Sequence, residues 1–216
     1  MATTEASKKS PIPEGTISIG TGMAIGAVTA YVAVILINKT VGDTAYAGFG
    51  AFWSLIFVVG PGLFLPLEQE IARGVSHRLA REDGSKPFLR LAISIALLIA
   101  LVVGAIFAAF SPIFINHVFH NNGKLQIGFI IAIISFAFLH CSRGIFSGNH
   151  KFNFYGGSLA IEGTIRFIIV LSLSMLNIKD VGYYGIAMGI TPILSVIPFI
   201  WIIKNLTTDG EEASKR

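Results

Sequence analysis

Charge is what this chain has least of. Only 13% of its 216 residues are Asp, Glu, Lys or Arg, against about 25% in soluble domains, a shortfall that excludes an ordinary water-soluble surface. The single cysteine, Cys141, excludes an internal disulfide framework; among apolar neighbours it reads as a small buried hydrophobe. No G-x-S-x-G, H-E-x-x-H, Walker A or glycine-rich dinucleotide motif occurs. Most of the twelve acidic residues fall in tails, loops or helix ends. That leaves little material for acid–base chemistry, so the chain reads as a non-enzyme without a cofactor; catalysis within a membrane would have only His140 and Glu162 to draw on. His117 and His120, in the segment NHVFHNNGK, stand three apart, but no nearby Cys, Asp or Glu completes a metal site.

What the chain has instead is long apolar blocks. Six can be drawn, at about 16–38, 46–70, 88–111, 124–147, 155–177 and 181–204. Each approaches or exceeds the ~20 residues a helix needs to cross ~30 Å of hydrocarbon. The pattern predicts an all-α integral membrane protein of six transmembrane helices, with polar tails at 1–15 and 205–216. A cleaved signal peptide is the competing reading of the first block, with Lys8 and Lys9 as its basic region and Ala45-Tyr46-Ala47 as the cleavage site. The block is longer than the usual 7–15 residues of such a segment, which favours a retained helix.

The net charge of +4 invites a nucleic-acid reading, but the placement of the basic residues points to a lipid surface. With the N-terminus inside, twelve of them fall in cytoplasmic segments, from Lys8 through Arg73, Arg78, Arg81, Lys86 and Arg90 to Arg216. Only Lys39, Lys124 and Lys179 fall on the other side, and Arg166 lies within a helix. That asymmetry is the positive-inside pattern, and it predicts two cytoplasmic termini in a cell membrane.

Within the blocks, Gly20, Gly22 and Gly26 offer the first helix a surface for close approach. The segment GPGLFLP, with Pro61 and Pro66, predicts a break or kink in the second helix, because each proline removes a backbone donor. Beyond it, Leu67, Ile71, Val75 and Leu79 recur every fourth residue among charges, an amphipathic continuation at the interface. Ser85 is placed to cap the third helix with Pro87 in its first turn. The third block has no charge after Arg90 and predicts a helix facing lipid over much of its surface. Pro192 and Pro198 predict a bend in the sixth helix.

The fifth block poses the sharpest question, since SLAIEGTIRFIIVLSLSMLNI carries Glu162 and Arg166. A helix entering at Tyr155 would place Glu162 about 10 Å and Arg166 about 16 Å into the hydrocarbon. An arginine side chain spans about 6–7 Å and cannot reach the interface from there. Such charges cost about 2.5–3.5 kcal/mol each at a helix centre. The order Glu then Arg at i, i+4 is the favourable one, and both should face the bundle or a wet cavity. Two roles stay open: an ion pair that fixes packing, or a cavity pair that binds an anionic group or couples an ion. Ser158 extends the same stripe. A second cluster, Glu68, Glu70 and Arg73, reads mainly as a solvated interfacial face, with Glu68 the best placed for function. Arg143 either snorkels to headgroups or lines the cytoplasmic mouth of a cavity.

Three stretches carry a family resemblance: NKTVGDTAYAGFGAFWSLIFVVGPGLFLPLEQEIAR, RGIFSGNHKFNFYGGSLAIEGTIRF with its Glu-x-x-x-Arg element, and VGYYGIAMGITPILSVI. Across about residues 16–204 the chain resembles the N-terminal six-helix lobe of the multidrug/oligosaccharidyl-lipid/polysaccharide exporter superfamily. Within it, the chain looks most like the polysaccharide-biosynthesis (O-antigen type) flippases. The resemblance implies one lobe of a MATE-like fold and transport of a lipid-linked oligosaccharide to the outer leaflet. Arg166 and Arg143 would meet the diphosphate, Glu162 would orient Arg166, and Glu68 would be a candidate for ion coupling. Family members usually have two lobes, so the resemblance also implies a second transporter half or a homodimer. A cation-coupled drug exporter of the same architecture, or a non-transporting membrane scaffold or remnant, are the alternatives.

Overall fold

The computed structural model describes Pro13 and residues 15–207, and all regular secondary structure among them is helical. Six helices are long and apolar enough to cross a membrane: α1 Thr16–Val41, α2 Asp43–Ala80, α3 Lys86–Ala109, α4 Gly123–Gly148, α5 Phe152–Met175 and α6 Val181–Leu206. The chain is a multi-pass, all-α membrane protein. Most of the two expected polar tails lies outside the described residues; the rest of the C-terminal one continues α6 to Leu206.

The first connection is shorter than its polar sequence predicts. α1 runs on through Lys39 and Thr40, and the turn is Gly42 alone, at φ 84, whose N–H bonds the Asn38 carbonyl. That left-handed backbone is open to glycine at little cost. α2 then runs unbroken for 38 residues through Pro61 and Pro66, so the expected helix break at these prolines is absent. Each proline withdraws one N–H, from the carbonyls of Phe57 and Gly62, while the surrounding turns stay supported by α4. A Cβ on Gly60 would press into the Phe136 ring, and one on Gly144 would press into Glu68 and Ile71. The buried face past the prolines is Phe64, Glu68, Ile71 and Val75. Leu79, expected on the apolar stripe, is 53% exposed.

α3 begins with Ser85 at its N-cap position and Pro87 in its first turn. It buries one stripe, Leu89, Ala92, Ala96 and Ala100, against α4 and exposes Leu91, Leu98 and Leu101, as a lipid-facing helix should. The connection to α4 is wound rather than open: a helical turn at Ser111–Ile113 is followed by a π-helical turn at Phe114–Val118. Phe107 stacks there on Phe114 and Phe129, with centroids 4.2 and 4.3 Å apart. His117 and His120 are exposed. α6 continues without interruption through Pro192 and narrows to a 3-10 turn at Ile197–Phe199, around Pro198, before its last helical turns.

Packing is tightest where glycines meet. Gly22 of α1 lies against the backbone of Gly156 on α5, and Gly128 of α4 lies against Gly185 and Gly189 of α6, so that a Cβ at Gly22 or Gly128 would overlap main chain. Gly26 meets α5 as well, whereas Gly20 faces open space and joins no helix interface. α1 thus rests on α5, while α2, α3 and α6 all pack on α4. α1 and α2 touch each other little, and the space between them is where the polar side chains gather.

Candidate functional site

Glu162 is the centre of the buried polar network. Its α5 helix places it one turn before Arg166, whose NH2 donates to Oε1 at 2.5 Å. The other carboxylate oxygen accepts from Arg143 NH2 of α4 at 2.8 Å. Arg143 also donates through Nε to the Ser158 hydroxyl at 3.1 Å. With Arg143 6% exposed and Glu162 7% exposed, this is a buried triad of two guanidiniums on one carboxylate. Of the two positions left open for Arg143, snorkelling is not adopted: its place on α4 turns it towards α5, where a carboxylate and a hydroxyl satisfy it and its side chain borders a cavity.

A second buried group adjoins the first. Glu68 of α2, 5% exposed, accepts from the Tyr155 hydroxyl at 2.7 Å and lies 2.6 Å from His140 Nδ1 of α4. An ionised carboxylate only accepts, so Nδ1 is assigned as the protonated nitrogen. The Tyr155 ring lies 6.0 Å from the Arg143 guanidinium, which links the two groups. The solvated face expected for Glu68, Glu70 and Arg73 therefore divides. Glu70 and Arg73 form an exposed pair at 2.8 Å, whereas Glu68 points inward with Phe64, Ile71 and Val75.

A cavity of about 280 Å³ opens on this network. Arg143, Arg166, Glu162 and His140 supply its polar wall; Trp53, Phe57, Pro61 and Phe136 supply much of its apolar wall, with small residues of α1 opposite. Pro61 thus contributes as lining, while Pro66 does not border the cavity. Arg166 lies 5.8 Å from the Trp53 ring centre, within cation–π range. Ten N–H groups belong to the two guanidiniums together, and three of them make the bonds named above. The arrangement can therefore take up further acceptor oxygens without dismantling itself. Beyond Glu68 and Tyr155 lies a second cavity of about 270 Å³, bordered also by Gln69 and Ser147.

At the opposite end of the helices the polar residues do a different job. Asn122 caps α4 and Asp180 caps α6, and Asn122 Nδ2 donates to Asp180 Oδ1 at 3.1 Å. Lys124 Nζ bonds Asp180 Oδ2 at 2.5 Å and sits 3.9 Å over the Tyr183 ring. Lys179 Nζ donates to the Thr40 carbonyl at the end of α1. The Lys124 hydrogen bond, aided by the Gly182 N–H, holds the Asp180 carboxyl below the usual aspartate range.

Of the residues singled out in the sequence, Arg143, Glu162 and Arg166 meet directly, and Glu68 adjoins them through Tyr155. His140, Tyr155 and Trp53 complete the site without having been singled out for binding. The signal for Glu68 was present in its spacing: 64, 68, 71 and 75 is the helical period of the face that the fold buries. No protein-family profile, curated protein or solved structure matches this chain. The functional reading therefore rests on the chain's own sequence, fold and site.

Proposed function

We propose that this chain is a transporter component that holds the anionic head of a lipid-linked oligosaccharide while it crosses the membrane. Flippase-like action of this kind moves its ligand without changing it chemically. The observation that carries the reading is the convergence of Arg143 and Arg166 on Glu162 beside the cavity, with unused guanidinium donors. Guanidinium matches a diphosphate well, because its planar fork can give two parallel charge-assisted bonds to one phosphate. The apolar wall suits a ligand that arrives from lipid, and Trp53 adds an aromatic surface to that wall. The sequence resemblance to the O-antigen type flippases points the same way. It adds a cell-membrane location, cytoplasmic termini, and a second half or second copy that would close the cavity from the other side. A cation exporter of the same architecture would need free acidic groups in the cavity, and both buried carboxylates already have partners.

The test is complementation of a strain lacking its lipid-linked oligosaccharide flippase, with protein levels in the membrane matched. Arg166→Ala should abolish export of surface polysaccharide, and Arg166→Lys should retain part of it. Undiminished export by Arg166→Ala would sink the assigned role.

A further inference from the structure

A histidine and two arginines share one wall of a cavity in this molecule. His140 is hydrogen bonded through Nδ1 to Glu68, yet its ring also borders the cavity that Arg143 and Arg166 face. With Nδ1 committed, Nε2 is left with a lone pair and has no protein partner among the described residues. The charges around it come from three helices: Glu68 from α2, Arg143 from α4, and Glu162 and Arg166 from α5. Tyr155 of α5 and Cys141 of α4 are the neutral titratable neighbours. α1 and α6 bring only Gly, Ala, Met and Pro to this cavity. Two guanidiniums thus face two carboxylates, and the set is neutral while the imidazole is neutral. One proton on Nε2 makes it a net cation. Imidazole is the side chain type whose charge changes nearest neutral pH, and His140 is the one imidazole among the residues that border this cavity.

We infer that the His140–Glu68 pair is the proton-loading site of this cavity, and that an anionic ligand is taken up together with a proton on His140 Nε2. This rests on the anion-binding reading above and names its coupling ion. In the step, a proton delivered from bulk solvent as hydronium forms the Nε2–H bond and leaves a water molecule behind, while the Nδ1–H···Glu68 bond is kept; release breaks the bond just formed and returns the proton to water. Glu68 fixes the ring and compensates the second N–H, and the Tyr155 hydroxyl holds the carboxylate in place. Because linkage is reciprocal, a ligand that binds the protonated form more tightly must also raise the proton affinity of the protein to which it is bound. Loss of the proton to the other side would then release the ligand there. The second cavity is bordered by Glu68 and Tyr155, the two residues that hold the His140 ring in place.

The experiment is calorimetry of the protein in nanodiscs with dimethyl diphosphate, a diester whose two charges stay constant across the neutral range. Titrations in two buffers of different ionisation enthalpy count the protons taken up. The wild-type protein should take up close to one proton per diester bound, and affinity should fall by up to about tenfold per pH unit as pH rises. In His140→Gln, which can still donate to Glu68 but cannot take up a proton, binding should fall to the weaker affinity the wild-type protein shows at high pH, with neither proton uptake nor a pH slope. Glu68→Gln should bind with its pH slope displaced to lower pH, since the protonated ring loses its counter-charge. Wild-type binding without proton uptake, or an unchanged pH slope in His140→Gln, overturns the coupling and leaves the anion site standing. No binding by the wild-type protein at any pH overturns both.

Discussion

The two ends of the helix bundle solve the same problem with opposite means. At one end, Asp180, Lys124 and Asn122 join α4 to α6 through side chains that water still reaches; Lys124 and Asp180 are 40% and 38% exposed at the side chain. Deeper in the bundle, Glu162, Arg143 and Arg166 join α4 to α5 with almost no exposure. An exposed pair draws on water whenever it opens, so its net worth is small, about 0.2–1 kcal/mol. A buried pair has no such alternative, and separating it leaves an uncompensated charge that costs about 3–5 kcal/mol. The outer contacts therefore position helix ends, while the inner ones constrain the interior to arrangements in which every charge keeps a partner. A protein that needed only a stable interior could have filled it with apolar side chains at no loss.

The contrast can be broken most sharply at Glu162. Glu162→Ala strands two guanidiniums, so the protein should lose about 3–5 kcal/mol of stability, read as a lowered unfolding midpoint in detergent. The paired removal, Glu162→Ala with Arg143→Ala, should recover part of that loss. A Glu162→Ala protein as stable as wild type would mean that water or lipid headgroups already serve the arginines. Glu68→Ala should cost less, about 1–3 kcal/mol, because it leaves two neutral donors, Tyr155 and His140, without their acceptor. The same measurement on Glu68→Gln should recover part of the loss, since an amide oxygen can still accept from Tyr155. The smallest effect belongs to the outer end. The Asp180 carboxyl is held below its ordinary value of 3.8 by Lys124. Its contribution is therefore present above that value and is lost as pH falls through the lower folded value. Lys124→Ala should flatten this acid limb of the stability curve while leaving the neutral region within about 1 kcal/mol.

The spans were legible because a bilayer demands about 20 apolar residues in a row, and that demand is local in the sequence. Glu162–Arg166 was legible for the same reason, since one helical turn brings them together. Arg143–Glu162 and Glu68–His140 join residues 19 and 72 positions apart, and no local rule relates them. Which face of α4 turns towards α5 is decided by where Gly128 lets α6 approach and Gly144 lets α2 approach, a matter of tertiary packing. Pro61 and Pro66 misled in the other direction: the rule that proline breaks helices describes an isolated helix, whereas α2 is braced along α4.

Gly22 and Gly156 bring the backbones of α1 and α5 into direct contact, and this has a mechanical corollary. Two helices locked main chain to main chain are hard to slide apart, so α1 and α5 form one rigid plate. Glu162 and Arg166 ride on that plate, while Arg143, His140 and Glu68 belong to the α4–α2 side. The hydrogen bonds from Arg143 to Glu162 and Ser158 and from Tyr155 to Glu68 are therefore rivets across a seam. Any movement that widens the cavity along that seam has to draw them, and whatever offers Arg143 a new anion at that moment makes the seam easier to open.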